Sequence, residues 1–122
     1  FVLLPSTAVC ADGSRGHYFA ATNTSSVDFV VYLQGGPACA HNQTLCLELL
    51  EQNRTGASFL TSDGFPDTIA GYGLLSDDAE ENALYSTYNK VYVPYCTMDM
   101  YLMDAEASDG GGLYFGGRPY LE

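Results

Sequence analysis

Basic residues are scarce in this chain: 4 lysines and arginines stand against 15 aspartates and glutamates in 122 residues, for a net charge of −11. A surface that grips phosphate backbones needs clustered Lys and Arg. Nucleic acid is therefore excluded as a partner, and an anionic membrane surface is an equally poor one. No C-x-x-C pair occurs, and His17 and His41 do not stand at metal-ligand spacing, which argues against a zinc site. No apolar run reaches the ~18 residues that a membrane span requires, so no transmembrane segment is expected, and no internal repeat is present. The nucleophile-elbow pattern Gly-x-Ser-x-Gly is also missing. Ser14, Ser58 and Ser76 lie in turn-like stretches without the strand-to-helix junction that exposes a reactive hydroxyl. Asp104, Glu106 and Asp109, beside the glycines at 110–112, lack the ligand spacing of a calcium loop and read as a solvated segment. No cofactor and no metal are expected.

What is present points to a secreted globular chain. The 47% hydrophobic content suffices for a core. Four cysteines, Cys10, Cys39, Cys46 and Cys96, suggest two disulfides, with three pairings open. The triplets starting at Asn23, Asn42 and Asn53 each fit the N-glycosylation pattern. Phe1-Val2-Leu3-Leu4 is too short for a signal peptide, so any leader is expected to have been removed.

Several elements can be placed along the chain. Cys10 to Ser14 forms a turn around Asp12-Gly13. Residues 17–21 form a strand, a polar turn covers 23–26, and the pair forms a hairpin into a second strand at 28–33. That strand is apolar and β-branched enough to be central and buried. Thr44 caps a helix over about 45–53 with Leu45, Leu49 and Leu50 on its apolar face. Glycine and proline punctuate a loop over 56–80. Residues 89–95 form another strand, with Pro94 near its end where no ladder N–H is needed. Gly116 to Tyr120 reads as a helix start with Pro119 in its first turn. A helix that opens at the last residues implies a piece of a longer protein.

The strand at 30–34 runs into Gly35-Gly36-Pro37-Ala38-Cys39, a junction of the kind where backbone N–H groups can face a reacting carbonyl. The motifs around it occur in a recognisable order. Cys10-x-Asp12-Gly13-Ser14 is followed by Leu33-Gln34-Gly35-Gly36-x-x-Cys39 and Cys46. Then come Gly73-Leu74-Leu75-Ser76, Glu80-Glu81-Asn82, Val91-x-Val93-Pro94-Tyr95-Cys96 and Leu113-Tyr114-Phe115-x-Gly117-Arg118. This ordered set resembles the pectin acetylesterase and Notum family of secreted carboxylesterases.

The resemblance implies an α/β fold, here the N-terminal part of an α/β-hydrolase-like domain that stops before the nucleophile elbow. Residues 1–122 are then a single partial domain. It implies a Ser-Asp-His triad whose members all lie beyond Glu122, an acyl-ester substrate on a polysaccharide or a lipidated protein, and disulfides Cys39–Cys46 and Cys10–Cys96. It places oxyanion-hole donors at Gly36 and Pro37, and pocket positions at Ala38 and Asp99. Asp99 could equally cap a turn. Tyr95 and Tyr101 could line a pocket. The chain departs from the family pattern at Gln34, Pro37 and Ala38, and Pro37 has no N–H to donate. Two alternatives follow: a non-catalytic secreted binding relative whose oxyanion loop has decayed, or a small disulfide-bonded module unrelated to hydrolases. His17 is read as an ordinary strand histidine and His41 as a loop residue.

Overall fold

The computed structural model describes residues 2–4, 6–39, 44, 47–48, 51, 59–104 and 113–121. These residues fall into two compact units. The first comprises Val2 with residues 17–34 and 66–94. The second takes in the described residues among 3–16, 35–65 and 95–122.

A mixed sheet organises the first unit. Its strands are β1 (Val2–Leu3, of which Val2 belongs to this unit), β2 (His17–Ala21), β3 (Phe29–Leu33) and β4 (Asn89–Val93), in the spatial order β1-β2-β4-β3. β4 pairs antiparallel with β2, placing Phe19 opposite Tyr92, and parallel with β3, placing Tyr32 opposite Tyr92. One face therefore carries an aromatic row. The Tyr32 and Tyr92 rings stack at 5.8 Å, and Phe19 lies 6.0 Å from Tyr92 on the other side. Burial pushes the Tyr92 phenol above its ordinary value, with a smaller contribution from Tyr32. β4 ends at Val93, and Pro94, lacking an N–H, falls just outside the ladder.

Two expectations are corrected here. β2 and β3 do not form a hairpin with each other, because β4 lies between them. The polar turn does form, closed by Ser26 N–H to the Asn23 carbonyl. The chain after it is then claimed by Asn89. The Asn89 amide nitrogen donates to the carbonyls of Ser26 and Asp28, and its side-chain oxygen accepts from the Asn23 N–H at 2.7 Å. These bonds fasten the 23–28 segment to the start of β4, and the ladder groups of β2 and β3 pair with β4 instead. Among the described residues β3 stands at the edge of the sheet, and it is not buried. Phe29 and Val31 are each 60% exposed.

A cavity of about 220 Å³ opens on the aromatic side of this sheet, lined among others by Phe19, Ile69, Leu75, Asp77 and Lys90. Lys90 is only 4% exposed, yet its ammonium is fully occupied. It reaches Asp77 at 2.5 Å and donates to the carbonyls of Ser86 and Tyr88 at 2.9 and 3.0 Å. Its carboxylate partner is 78% exposed. The two partners should therefore respond unequally to deletion. Asp77→Ala leaves a buried cation without its counter-charge and is expected to cost about 3 kcal/mol. Lys90→Met leaves a solvated carboxylate and two weakened carbonyls, and should cost less, about 2 kcal/mol. Urea unfolding of the two variants checks the order, and a reversed order would contradict this account of the pair.

Beside the sheet, a 3₁₀ turn at Gly73–Leu75 is held by residues of the 80–82 segment. Asn82 donates to the carbonyls of Leu74 and Ser76, and Glu81 accepts the Gly73 N–H at 2.7 Å. That N–H is the main cause holding the Glu81 carboxyl below its usual value. Two of the motifs singled out in the sequence thus fasten each other.

In the second unit, the turn at Asp12-Gly13-Ser14 forms through Cys10 N–H to the Ser14 carbonyl and Ser14 N–H to the Asp12 carboxylate. Cys10 and Cys96 are joined by a disulfide. Leu60, Leu113, Phe115 and Tyr120 are buried with them. The predicted helix start near the C-terminus is a single 3₁₀ turn, Arg118–Tyr120, with Pro119 inside it. Of the helix predicted over 45–53, Leu47, Glu48 and Glu51 are helical, and the predicted cap Thr44 is itself helical. Its remaining positions lie outside the described residues, as do Cys46, Asn42, Asn53, His41, Ser58, Glu106 and Asp109.

Candidate functional site

The candidate site is the turn at 35–39, in the second unit. Gly35, Gly36, Pro37 and Ala38 are exposed, whereas Cys39 is buried and disulfide-bonded. The turn is fastened from behind by the segment that follows Pro94. Cys39 N–H donates to the Met98 carbonyl at 2.8 Å. The Tyr95 hydroxyl donates to the Pro37 carbonyl at 3.0 Å and accepts the Met100 N–H at 2.8 Å. Tyr95 is itself buried, with its ring 5.2 Å from Tyr101 and 6.3 Å from Phe59.

Gly36 has to be glycine for a packing reason. A Cβ at that position would run into Cδ1 and Cε1 of the Tyr95 ring. The turn therefore packs closely on the Tyr95 ring, and its Pro37 carbonyl and Cys39 N–H are bonded inward. Among the described residues, the N–H groups of Gly36 and Ala38 make no hydrogen bond.

The segment behind the turn is strained. Met98, Met100 and Tyr101 all have left-handed φ values, at 54°, 56° and 59°. For non-glycine residues each such position costs on the order of 1 kcal/mol and persists only where the surroundings impose it. Asp99 is the residue that imposes it. It is 5% exposed, and its carboxylate accepts from the Thr97 hydroxyl at 2.5 Å, the Tyr101 N–H at 2.9 Å and the Gly117 N–H at 2.8 Å. Asp99 therefore acts as a clamp between the strained loop and the 116–118 segment. These three bonds tie Asp99 to its own loop and to Gly117.

Tyr120, buried against the disulfide, has its hydroxyl 3.2 Å from Cys96 Sγ. Burial drives its phenol far above the ordinary value, with Asp99 and then Asp12 adding repulsion. Burial also raises Tyr95, and the Met100 N–H partly opposes this. For each of these groups the folded state favours the neutral phenol. The stability they contribute is complete below the unfolded tyrosine value of about 10 and is lost as pH rises above it. The melting temperature is therefore expected to hold steady to about pH 10 and then fall with tyrosinate absorbance. A melting temperature that stays flat through tyrosine ionisation would contradict the burial of these phenols.

The structure keeps the sequence-singled residues apart in a definite way. Gly36, Pro37, Ala38 and Tyr95 come together. Asp99 serves the same loop from within. His17 is buried at the start of β2 with its ring edge-on to Phe19, 5.4 Å away. Asn23 lies in the turn after β2, donating to the Thr87 carbonyl and accepting from Ser25 N–H. Among the described residues, no group of three His, Cys, Asp or Glu side chains could hold a metal ion, and no helix is long and apolar enough to cross a membrane. The Tyr95 hydroxyl was not identified from sequence as the support of the turn. The only signal was its place directly after Pro94 in the Val-Pro-Tyr-Cys motif.

A strand-ending turn whose free backbone donors are held rigid from behind is the kind of element that acyl-transfer enzymes use beside a reacting carbonyl. Comparison with known proteins gives the family. Residues 2–122 match the family model for pectinacetylesterase, and the chain belongs to that family. It is 32% identical over 111 residues to the inactive palmitoleoyl-protein carboxylesterase notum1b of Danio rerio, covering 91% of this chain and 77% of that protein. It is 31% identical over 100 residues to the palmitoleoyl-protein carboxylesterase NOTUM of Homo sapiens, covering 82% and 19%. To the Mus musculus protein of the same name it is 28% identical over 121 residues, covering 99% and 23%. The chain thus spans about a fifth of the length of the two mammalian enzymes.

Proposed function

We propose that this chain is the N-terminal part of a secreted carboxylester hydrolase with an α/β-hydrolase-type domain, and that the turn at 35–39 forms one side of its oxyanion hole. The observation that carries this reading is the exposed, rigidly backed turn with unbonded N–H groups at Gly36 and Ala38, in a chain of the pectinacetylesterase family. The nucleophilic serine and its histidine and aspartate partners would come from sequence beyond Glu122. Attack of the serine oxygen on an acyl ester places negative charge on the former carbonyl oxygen, and the N–H groups of the turn would meet that charge. Collapse releases the alcohol and leaves an acyl-enzyme, which water then cleaves. The names of the relatives favour a fatty acyl group on a protein, and the family name favours an acetylated polysaccharide.

Secretion is supported by the disulfides and by the glycosylation triplets at Asn23, Asn42 and Asn53. A second reading, a non-catalytic binding relative, draws support from Pro37, which lacks the N–H expected at that position, and from the printed name of the Danio rerio relative. The assay that separates them is hydrolysis of p-nitrophenyl acetate and a longer-chain p-nitrophenyl ester by the protein extended past residue 122. Saturable turnover, blocked by a serine-directed phosphonate, supports the hydrolase. A rate equal to buffer supports the binder. The 122-residue chain alone is expected to be inactive in the same assay.

A further inference from the structure

We propose that Ala38, not Pro37, supplies the second backbone donor of this turn, and that Tyr95 is the residue that positions it. The assignment rests on the hydrolase reading above. It begins from Pro37, which has a carbonyl but no N–H. The Tyr95 hydroxyl holds that carbonyl at 3.0 Å, on the inner side of the turn. The Pro37–Ala38 peptide is trans, since no cis bond occurs among the described residues. Across a planar trans peptide, the carbonyl of one residue and the N–H of the next point in opposite directions. Fixing the Pro37 oxygen toward Tyr95 therefore aims the Ala38 N–H away from it, to the exposed side of the turn.

Three further observations fit this. Ala38 is exposed, and among the described residues its N–H takes no acceptor. Its side chain is a single methyl group, so nothing long covers the donor. The next N–H, of Cys39, is turned inward to the Met98 carbonyl at 2.8 Å, so the outward set ends at Ala38. Tyr95 is in turn held by the Met100 N–H and by the Gly36 backbone lying on its ring. Donors fixed before the charge develops are the ones worth most to an acyl transfer. Tyr95 acts through the peptide it holds and does not itself meet the substrate.

The test uses the ¹⁵N-labelled protein extended past residue 122, with phenylphosphonate as a tetrahedral oxyanion probe. The amide protons of Gly36 and Ala38 should move downfield together with one dissociation constant. Tyr95→Phe keeps the ring beneath Gly36 and releases the Pro37 carbonyl, and should weaken that constant about tenfold, the equivalent of one hydrogen bond. An Ala38 amide that does not move with the probe, or a Tyr95→Phe chain that binds it as well as the parent, overturns the assignment. In the extended protein, Ala38→Pro should lower kcat by about 10²–10³ with KM little changed. Wild-type kcat in Ala38→Pro, or a Pro37→Gly variant with kcat raised a hundredfold, also overturns it. Probe binding at Ala38 in a protein without ester turnover removes the hydrolase reading and leaves the donor assignment standing.

Discussion

Replacing Cys10 and Cys96 together with serine is expected to lower the unfolding free energy by roughly 4–5 kcal/mol. The bond joins residues separated by 86 positions, and in the loop-entropy description a closure of that length restricts the unfolded chain strongly. Small domains have about 5–15 kcal/mol in total, so the double variant should be poorly folded at body temperature. Both cysteines are buried, and the Tyr120 hydroxyl lies beside Cys96 Sγ, so serine hydroxyls have a polar partner at hand. The loss should therefore come from the unfolded chain rather than from a damaged core. Urea midpoints of the oxidised parent and the variant measure it. A difference below about 1 kcal/mol would show that loop closure is not what the bond contributes.

Asp99→Ala is expected to have an effect of similar size, about 3–5 kcal/mol. The substitution strands the Tyr101 and Gly117 N–H groups and the Thr97 hydroxyl, all bonded to the one buried carboxylate. It also frees three left-handed residues to relax, so the loop behind the turn should rearrange rather than merely soften. Asp99→Asn keeps one acceptor oxygen and should fall between the two. Unfolding midpoints give the energies. Amide shifts at Pro37's neighbours, Gly36 and Ala38, report whether the turn moves with the loop. A variant as stable as the parent, with those shifts unchanged, would contradict the clamp.

These two residues show where sequence reasoning reaches its limit. Cys10 can be suspected of a long-range bond, yet composition alone leaves three pairings open. Asp99 stands after a strand, where both binding aspartates and capping aspartates occur. Only its contact with Gly117, 18 residues on, identifies it as a clamp. β2 and β4 are legible because their β-branched and aromatic runs are short and bounded by turn residues. β3 is equally legible as a strand, but its place is not. Side-chain pattern reports faces, whereas neighbours are decided by distant residues, here by Asn89 binding the 23–28 segment. In the turn, the missing donor of Pro37 is plain from one letter. The outward Ala38 N–H depends on a bond between Pro37 and a tyrosine 58 positions away, and nothing local announces it.

The central claim is that the turn at 35–39 serves ester hydrolysis. The most direct test is the steady-state rate of the protein extended past Glu122 on p-nitrophenyl acetate, before and after treatment with a serine-directed phosphonate. The account predicts saturable turnover that the reagent abolishes. A correctly folded, extended protein whose rate equals that of buffer would contradict it.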